Sequence, residues 1–326
     1  MTNRIWLNHK VVGIGEAMVE FAPVGDNVYR RGFAGDTLNT CWHIAKIVQD
    51  QARVGYFTRI GTDALSTEFL DFLARSGVAS DAIARDRERS IGLYVISLAG
   101  AERSFSYWRD SSAARRLADD FDALLGAITG VGLIHISGIT LAIIRDEGRR
   151  NLLKALDTAR SKGSVVSFDP NARPRLWQDA DEMRRALREA LEVTDIALPS
   201  FDDEANLWGD GGPEDTVKRM TAAGVREIAV KNGHDDVALC DNGSFARVPT
   251  PEVNNIRDAT GAGDSFNAGY LAGRLVGMTP LEACQLGQGV AGEIIGHFGA
   301  LAPEPSLERF RSRIRDHVEK KLNPQP

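Results

Sequence analysis

Cysteine is scarce in this chain, with three in 326 residues, Cys41, Cys240 and Cys284. They form neither a CxxC pair nor a Cys/His metal spacing, which excludes a disulfide framework and a structural zinc and makes a reduced, cytoplasmic compartment the simplest expectation. Basic charge is in deficit: 39 Lys and Arg stand against 45 Asp and Glu, for a net charge of −6 and a pI near 5.6. No positive field is available to gather nucleic acid or an anionic membrane, so an anionic ligand must be held by local donors. Long apolar runs are missing too. Met1 to Lys10 lacks the apolar stretch of a signal peptide, and no run reaches the length that spans a bilayer. Gly13-Ile-Gly-Glu16 follows a strand-like run, but a dinucleotide fingerprint needs a glycine where Met18 stands, and no GxxxxGK[ST] loop occurs. A hydride-transfer enzyme therefore loses its main support. No internal repeat, low-complexity tract or linker interrupts the chain, and only the tail after Lys320 reads as frayed.

What is present is a globular composition, 43% apolar and 26% charged, long enough for one large α/β domain or two smaller ones. Short β-branched runs at Lys10–Ile14, Leu133–Ile136, Ser164–Phe168, Ile196–Leu198 and Glu227–Val230 alternate with helical stretches such as Arg145–Lys162 and Asp179–Val193. Near-continuous apolar strands with intervening helices predict a mainly parallel sheet covered on both faces, with ligands bound past the strands' carboxyl ends.

Two segments break that rhythm. Ala17–Phe33 and Ser90–Arg109 alternate with period 2, and the second reads as a hairpin turning at Ala99-Gly-Ala-Glu102. They predict a small antiparallel β lid (17–33 and 90–109) projecting from a body made of 1–16, 34–89 and 110–326. In the lid's return strand Tyr107 and Arg109 share a face and Trp108 takes the other. An Arg with a Tyr suits a ligand bearing a carboxylate and hydroxyls, but on these residues alone a solvated strand face is the better explanation of the pair.

The densest chemistry is at Asp258-Ala-Thr-Gly-Ala-Gly-Asp-Ser-Phe266, a glycine-rich turn running into a helical pattern. Gly261, Ala262 and Gly263 let main-chain N–H groups crowd around an anion, and a helix start adds unsatisfied donors and the positive end of a dipole. Asp264 at the junction is placed to accept a proton from an attacking hydroxyl. An ordinary helix N-terminus with Asp264 as its cap remains the alternative.

Other segments carry weaker signals. In Ser167-Phe-Asp-Pro-Asn-Ala-Arg-Pro-Arg-Leu-Trp177, Asn171 offers a donor and an acceptor and Arg173 a planar fork for carboxylate or phosphate. Gly35-Asp-Thr-Leu-Asn39 opens an amphipathic helix, with Asp36 or Thr37 as a cap and its small and amide residues able to meet sugar hydroxyls. Lys231-Asn-Gly-His-Asp-Asp236 could face a nucleotide or be a plain turn. His135 reads as a core histidine and His43 as a helix-packing one.

Taken together, these segments resemble the PfkB, or ribokinase-like, family of carbohydrate kinases from about Val11 to Ala300. The detail is most similar to the family's 2-keto-3-deoxygluconate kinases, through Gly35–Thr40, Glu102–Arg109, His135–Ile139 and Phe168–Trp177. The resemblance implies a three-layer α/β/α fold with a β lid. It implies Asp264 as catalytic base and Gly261, Ala262 and Gly263 as an anion hole. Gly35, Asn39, Tyr94, Tyr107, Arg109, Arg173 and Asp264 would contact the sugar acid. Asn171, Arg173, Ser200, Lys231 and Gly233, with the anion-hole residues, would line the ATP side, and the region from Ala291 to Gly299 would hold adenine. ATP and Mg²⁺ are the implied cofactors, and a homodimer paired through the lid is the implied assembly. Relatives carry Asn-x-x-Glu to organise magnesium's water; this chain reads Ser200-Phe-Asp-Asp-Glu204, which leaves Asp202, Asp203 and Glu204 as outer-sphere candidates and direct metal ligands unassigned. Kinases for fructose or 5-dehydro-2-deoxygluconate, and a catalytically silent binding protein on the same fold, are the alternatives.

Overall fold

The computed structural model describes residues 9–99 and 102–323. Gly100 and Ala101, at the tip of the expected hairpin turn, lie outside the described residues.

Strand β1 (Lys10–Ile14) opens the main sheet; the chain then leaves it for β2 (Met18–Gly25) and β3 (Val28–Ala34), and α1 (Asp36–Val48) returns it to β4 (Arg53–Phe57). A short pair, β5 (Arg59–Ile60) and β6 (Ala84–Arg85), flanks α2 (Ala64–Ser76). A second excursion forms β7 (Gly92–Ala99) and β8 (Glu102–Trp108). The body continues through α3 (Phe121–Ile128), β9 (Leu133–Ser137), α4 (Gly138–Ile143), α5 (Asp146–Ser161), β10 (Val165–Asp169), α6 (Ala180–Glu192) and β11 (Ile196–Ala197). It closes with α7 (Phe201–Trp208), α8 (Pro213–Ala222), β12 (Glu227–Val230), β13 (Val237–Asp241), β14 (Ser244–Val248), α9 (Ala262–Val276), α10 (Pro280–Ile294) and α11 (Glu308–Leu322).

The main sheet has eight strands in the order β14-β13-β12-β11-β10-β9-β1-β4. It is parallel from β12 to β4, and β13 and β14 add an antiparallel hairpin at one edge. Side chains alternate between two buried layers: Val11 packs with Leu38, Ile44, Phe69 and Leu271, whereas Val12 and Ile14 pack with Leu124, Leu152 and Leu187. Helices thus cover both faces, the three-layer α/β/α arrangement expected of buried parallel strands. The strand order reverses beside β1, and the loops after the carboxyl ends of β1, β10, β11 and β12 deliver Glu16, Asp169, Ser200 and Lys231 to one edge.

The lid is a four-stranded sheet, β3-β2-β7-β8. It consists of two antiparallel hairpins, and their inner strands β2 and β7 pair in parallel because both leave the body in the same direction.

Candidate active site

Two helix starts meet at the site. At α9, Gly261 precedes the first helical residue with φ 76°, and a Cβ there would lie 2.9 Å from the Cα of Ala300, so the turn needs glycine for its conformation and for its neighbour. At α1, a Cβ on Gly35 would lie 2.2 Å from the carbonyl oxygen of Glu16, so the lid-to-helix turn fits against the exit of β1 only without a side chain. Asn39, in the first turn of α1, donates from Nδ2 to Asp264 Oδ2 at 2.8 Å, and the Thr40 hydroxyl donates to the Asp264 carbonyl at 3.2 Å. The half-buried Asp264 carboxylate therefore sits between two clusters of helix N–H groups.

Asp36 is the first residue of α1, not its cap: Oδ1 accepts from the Thr37 N–H at 2.8 Å and Oδ2 from Asn171 Nδ2 at 2.9 Å. That bond joins Asn171 to the first turn of α1. Asn171 is held at φ 36° and donates its own N–H to Asp169 Oδ1 at 3.0 Å, an Asx turn that tolerates the left-handed region.

Beneath the glycine turn lies a buried charge pair. Lys231 Nζ donates to Asp169 Oδ2 at 2.7 Å and to Asn267 Oδ1 at 3.0 Å, while Asn267 Nδ2 donates to the same Asp169 oxygen at 2.7 Å. Lys231 Nζ also lies 3.5 Å from where a Cβ on Gly263 would stand, so its charge abuts the glycine turn. Burial opposes ionisation of Asp169, but Lys231 and Asn267 outweigh it and hold its carboxyl below the usual range. Asp264 behaves oppositely. Burial, with Asp36 and then Asp169 adding repulsion, raises its carboxyl well above the usual range despite the Asn39 bond and Lys231. A carboxyl poised nearer neutrality is better matched to proton transfer than an ordinary one.

Ser200 immediately precedes α7 and pairs through its backbone with Lys231, fixing that loop. Gly233 sits in an exposed turn at φ 58°. Of the three acidic residues after Ser200, Asp203 faces the site, accepting from Arg173 Nη1 at 3.0 Å; burial raises its carboxyl, and Asp169 and Lys231 are close enough to act on it. Glu204 turns away to Arg219 at 2.8 Å. Asp36, Asp169, Asp203 and Asp264 outnumber the cations Lys231 and Arg173, so the donor set suits a divalent ion that arrives with phosphates and keeps its water. No preformed group of three or more metal-ligating side chains exists among the described residues.

From the lid, Tyr94, Phe105 and Tyr107 form an aromatic ledge with centroids 5.7 to 6.3 Å apart. Tyr94 is close enough to Asp264 for that carboxylate to contribute to raising its phenol, after burial and Glu20. Arg109 stacks 5.7 Å from the Tyr107 ring, on the face expected for it. Arg109 is buried, 7% exposed, and its guanidinium is ion-paired with Glu16, which also accepts from Ser112. Arg109 and Arg173, both expected to contact the sugar acid, are thus each engaged by a separate carboxylate, Glu16 for Arg109 and Asp203 for Arg173. The Ala291–Gly299 region, expected to hold adenine, is pinned at its end by the Gly299 N–H, which donates to Asp258 Oδ2 at 2.7 Å.

Asp169 and Asn267 carry roles that motif reading passed over. Asp169 lies within the Ser167–Trp177 segment, and Asn267 directly follows the Asp258–Phe266 turn, whose adjacency is its one local signal. His135 is buried on β9 against Ser167 at 3.2 Å, with burial lowering its pKa to about 4, as befits a core histidine. His43 does more than pack on a helix: Nδ1 meets the Asn39 carbonyl at 2.8 Å and Nε2 accepts from the Ala302 N–H at 3.3 Å.

A glycine turn at a helix start, a raised carboxylate beside it and a small β-sheet close by fit a small-molecule kinase. The pfkB family carbohydrate kinase model matches residues 8–307, and the chain belongs to that family. The 2-dehydro-3-deoxygluconokinase of Dickeya dadantii is 39% identical over 297 residues, covering 89% of this chain and 96% of its own. Among solved structures, the 2-dehydro-3-deoxygluconokinase of Thermotoga maritima is similar at a TM-score of 0.82 and 21% identity, covering 94% of this chain and 100% of its own. A structure from Escherichia coli solved with ATP and Mg²⁺ is similar at a TM-score of 0.79 and 24% identity, covering 93% and 99%. The fold is accordingly ribokinase-like.

Proposed function

We propose that the protein transfers the γ-phosphoryl group of ATP to the terminal hydroxyl of 2-keto-3-deoxygluconate (2-dehydro-3-deoxygluconate), giving the 6-phosphate. The observation that carries this reading is the Asp264 carboxylate, held by Asn39 at the start of α9 directly after the glycine turn. Asp264 removes the proton from the acceptor hydroxyl as that oxygen attacks. The N–H groups of Gly261, Ala262 and Gly263, with Lys231 beside them, stabilise charge on the transferring group. ATP supplies that group, and Mg²⁺ supplies the charge that screens its phosphates. Asn171, Arg173, Ser200 and Gly233 border the nucleotide side, and Asp169 and Asp203 would meet the metal through water.

The sugar acid lies under the lid between Gly35, Asn39, Tyr94, Tyr107 and Arg109, and closure of the lid excludes water that would otherwise hydrolyse ATP. The body is 1–16, 34–89 and 110–326 and the lid 17–33 and 90–109. Val24, Tyr29, Phe105 and Trp108 are exposed on the lid, which supports a homodimer in which lids cover one another. The protein works in the cytoplasm, and no helix among the described residues is long and apolar enough to cross a membrane.

One observation favours a second reading. Because Arg109 and Arg173 already have carboxylate partners, a neutral sugar such as fructose would leave no guanidinium unpaired. A coupled ADP-release assay with Mg·ATP decides between them, using 2-keto-3-deoxygluconate, its C4 epimer, 5-dehydro-2-deoxygluconate, fructose and ribose. Preference for the keto-deoxy acids supports the first reading, preference for a neutral sugar the second, and absence of any turnover a silent binding protein.

A further inference from the structure

The lid face that carries Tyr94 also carries a carboxylate with no role in the chemistry above. Glu20 on β2 pairs in register with Tyr94 of β7 on one side and with Gly32 of β3 on the other, so the three project to one face. Tyr94 orients that face, because its phenol lies close enough to Asp264 to be raised by it. Glu20 is 8% exposed, and its Oε2 accepts from the Tyr94 hydroxyl. It lines a cavity of about 770 Å³ that runs between β3, α2 and the loop from His297 to Pro303. That cavity adjoins the site at two points: Ala34 precedes Gly35, and Ala300 packs against Gly261. Glu20 Oε1 lies 3.9 Å from where a Cβ on Gly32 would stand, so the missing side chain keeps the space before the carboxylate open.

An ionised carboxylate accepts hydrogen bonds and donates none, with about four lone-pair sites. The Tyr94 hydroxyl fills one, and the remaining sites face the cavity, where a ligand that displaces its water must replace the hydrogen bonds lost. The groups that would complete it are O–H donors held close together.

We infer that Glu20 is a specificity-determining residue that accepts hydrogen bonds from adjacent hydroxyls of the acceptor, those on C4 and C5, the two carbons that precede the phosphorylated end. The inference rests on the reading of the site as a kinase for a polyhydroxy acid. Two carboxylate oxygens match two hydroxyls on neighbouring carbons. Inverting either carbon withdraws one hydroxyl and leaves a buried acceptor unpaired, the arrangement that discriminates most strongly. Glu20 thus selects among epimers while Asp264 performs the proton transfer.

The test compares wild type, Glu20→Gln and Tyr94→Phe on 2-keto-3-deoxygluconate and its C4 epimer, with kcat and KM measured separately. Glu20→Gln keeps the size and an acceptor for Tyr94 but replaces one oxygen with a donor. It is expected to lower kcat/KM for the preferred epimer by about 10- to 100-fold, to leave the other epimer within about twofold, and so to collapse the ratio. Tyr94→Phe is expected to keep the ratio. Equal loss on both epimers, an unchanged ratio in Glu20→Gln, or a collapse reproduced by Tyr94→Phe would overturn the inference and leave Glu20 as an anchor for the phenol. Wild-type turnover of neither acid would instead sink the reading of the reaction. Calorimetric titration of both acids into wild type and Glu20→Gln then decides the inference separately: loss of an epimer preference on substitution supports it, and equal affinities in both proteins overturn it.

Discussion

Asn39 and Asp264, 225 residues apart, are joined by a 2.8 Å bond from the Asn39 amide to the Asp264 carboxylate, locking the first turn of α1 to the first turn of α9. The bond leaves the carboxylate a fixed direction and lone pairs to spare, as a general base requires. Asp264→Asn keeps the shape and removes the basicity. Turnover in the ADP-release assay is expected to fall about 10²- to 10⁴-fold, with nucleotide binding measured by calorimetry nearly unchanged. Near-full turnover would remove Asp264 from the chemistry.

The pH dependence follows from the charges around that base. Asp264 is useful only when ionised, so the rate falls as pH falls through its pKa, and burial and Asp36 have raised that pKa above the usual carboxylate value of about 3.9. Neutralising Asp36 removes the second of these causes and leaves the first. Asp36→Asn should therefore move the acid limb of kcat/KM to lower pH while keeping it above that of a solvated aspartate. A limb that stays in place, or moves to higher pH, would show that another group controls it.

How much of this was legible depends on the range of the interaction. Strands β1 and β12 were read to the residue because Val11-Val12 and Glu227–Val230 are buried runs whose signal is local. Strands β13 and β14 were missed, although Asn242 at φ 49° and Gly243 at φ 85° make the Asn-Gly turn that marks a hairpin. The glycine turn was legible because it is built from consecutive residues at the start of one helix. The Glu16 partner of Arg109 was not, since nothing near position 16 announces a residue on the far side of the lid, and the same holds for Asp169 and Asn267, 98 residues apart. Pairings set by topology are invisible to spacing.

The Lys231–Asp169 pair carries a stability prediction. Its neighbours depress the Asp169 carboxyl, so its contribution is complete above the unfolded pKa and is lost as pH falls through the lower folded value. Lys231→Met leaves a buried carboxylate without its cation, and urea unfolding at neutral pH is expected to show a loss of about 3–5 kcal/mol. Adding Asp169→Asn should recover part of that loss, since the uncompensated charge goes with it. The single variant's deficit should also shrink in acid, where Asp169 takes a proton. A deficit that does not vary with pH would assign the loss to packing.

Arg109 is where the acid and neutral-sugar readings part. Its guanidinium is buried against Glu16 at the junction of body and lid, and its Nε has no hydrogen-bond partner. A substrate carboxylate reaching that nitrogen would gain a charge-assisted bond that a neutral sugar lacks. Removing the guanidinium also strands the buried Glu16, which weakens the lid hinge for every substrate alike. Arg109→Ala is therefore expected to have two separable effects: a loss of thermal stability, read by the melting temperature, and a rise in KM that is at least about tenfold larger for 2-keto-3-deoxygluconate than for fructose. Arg109→Lys keeps a cation for Glu16 but not the planar fork, so it should recover the melting temperature more fully than the KM. An equal rise in KM for both sugars would mean that Arg109 only fastens the hinge and that the carboxylate is recognised elsewhere.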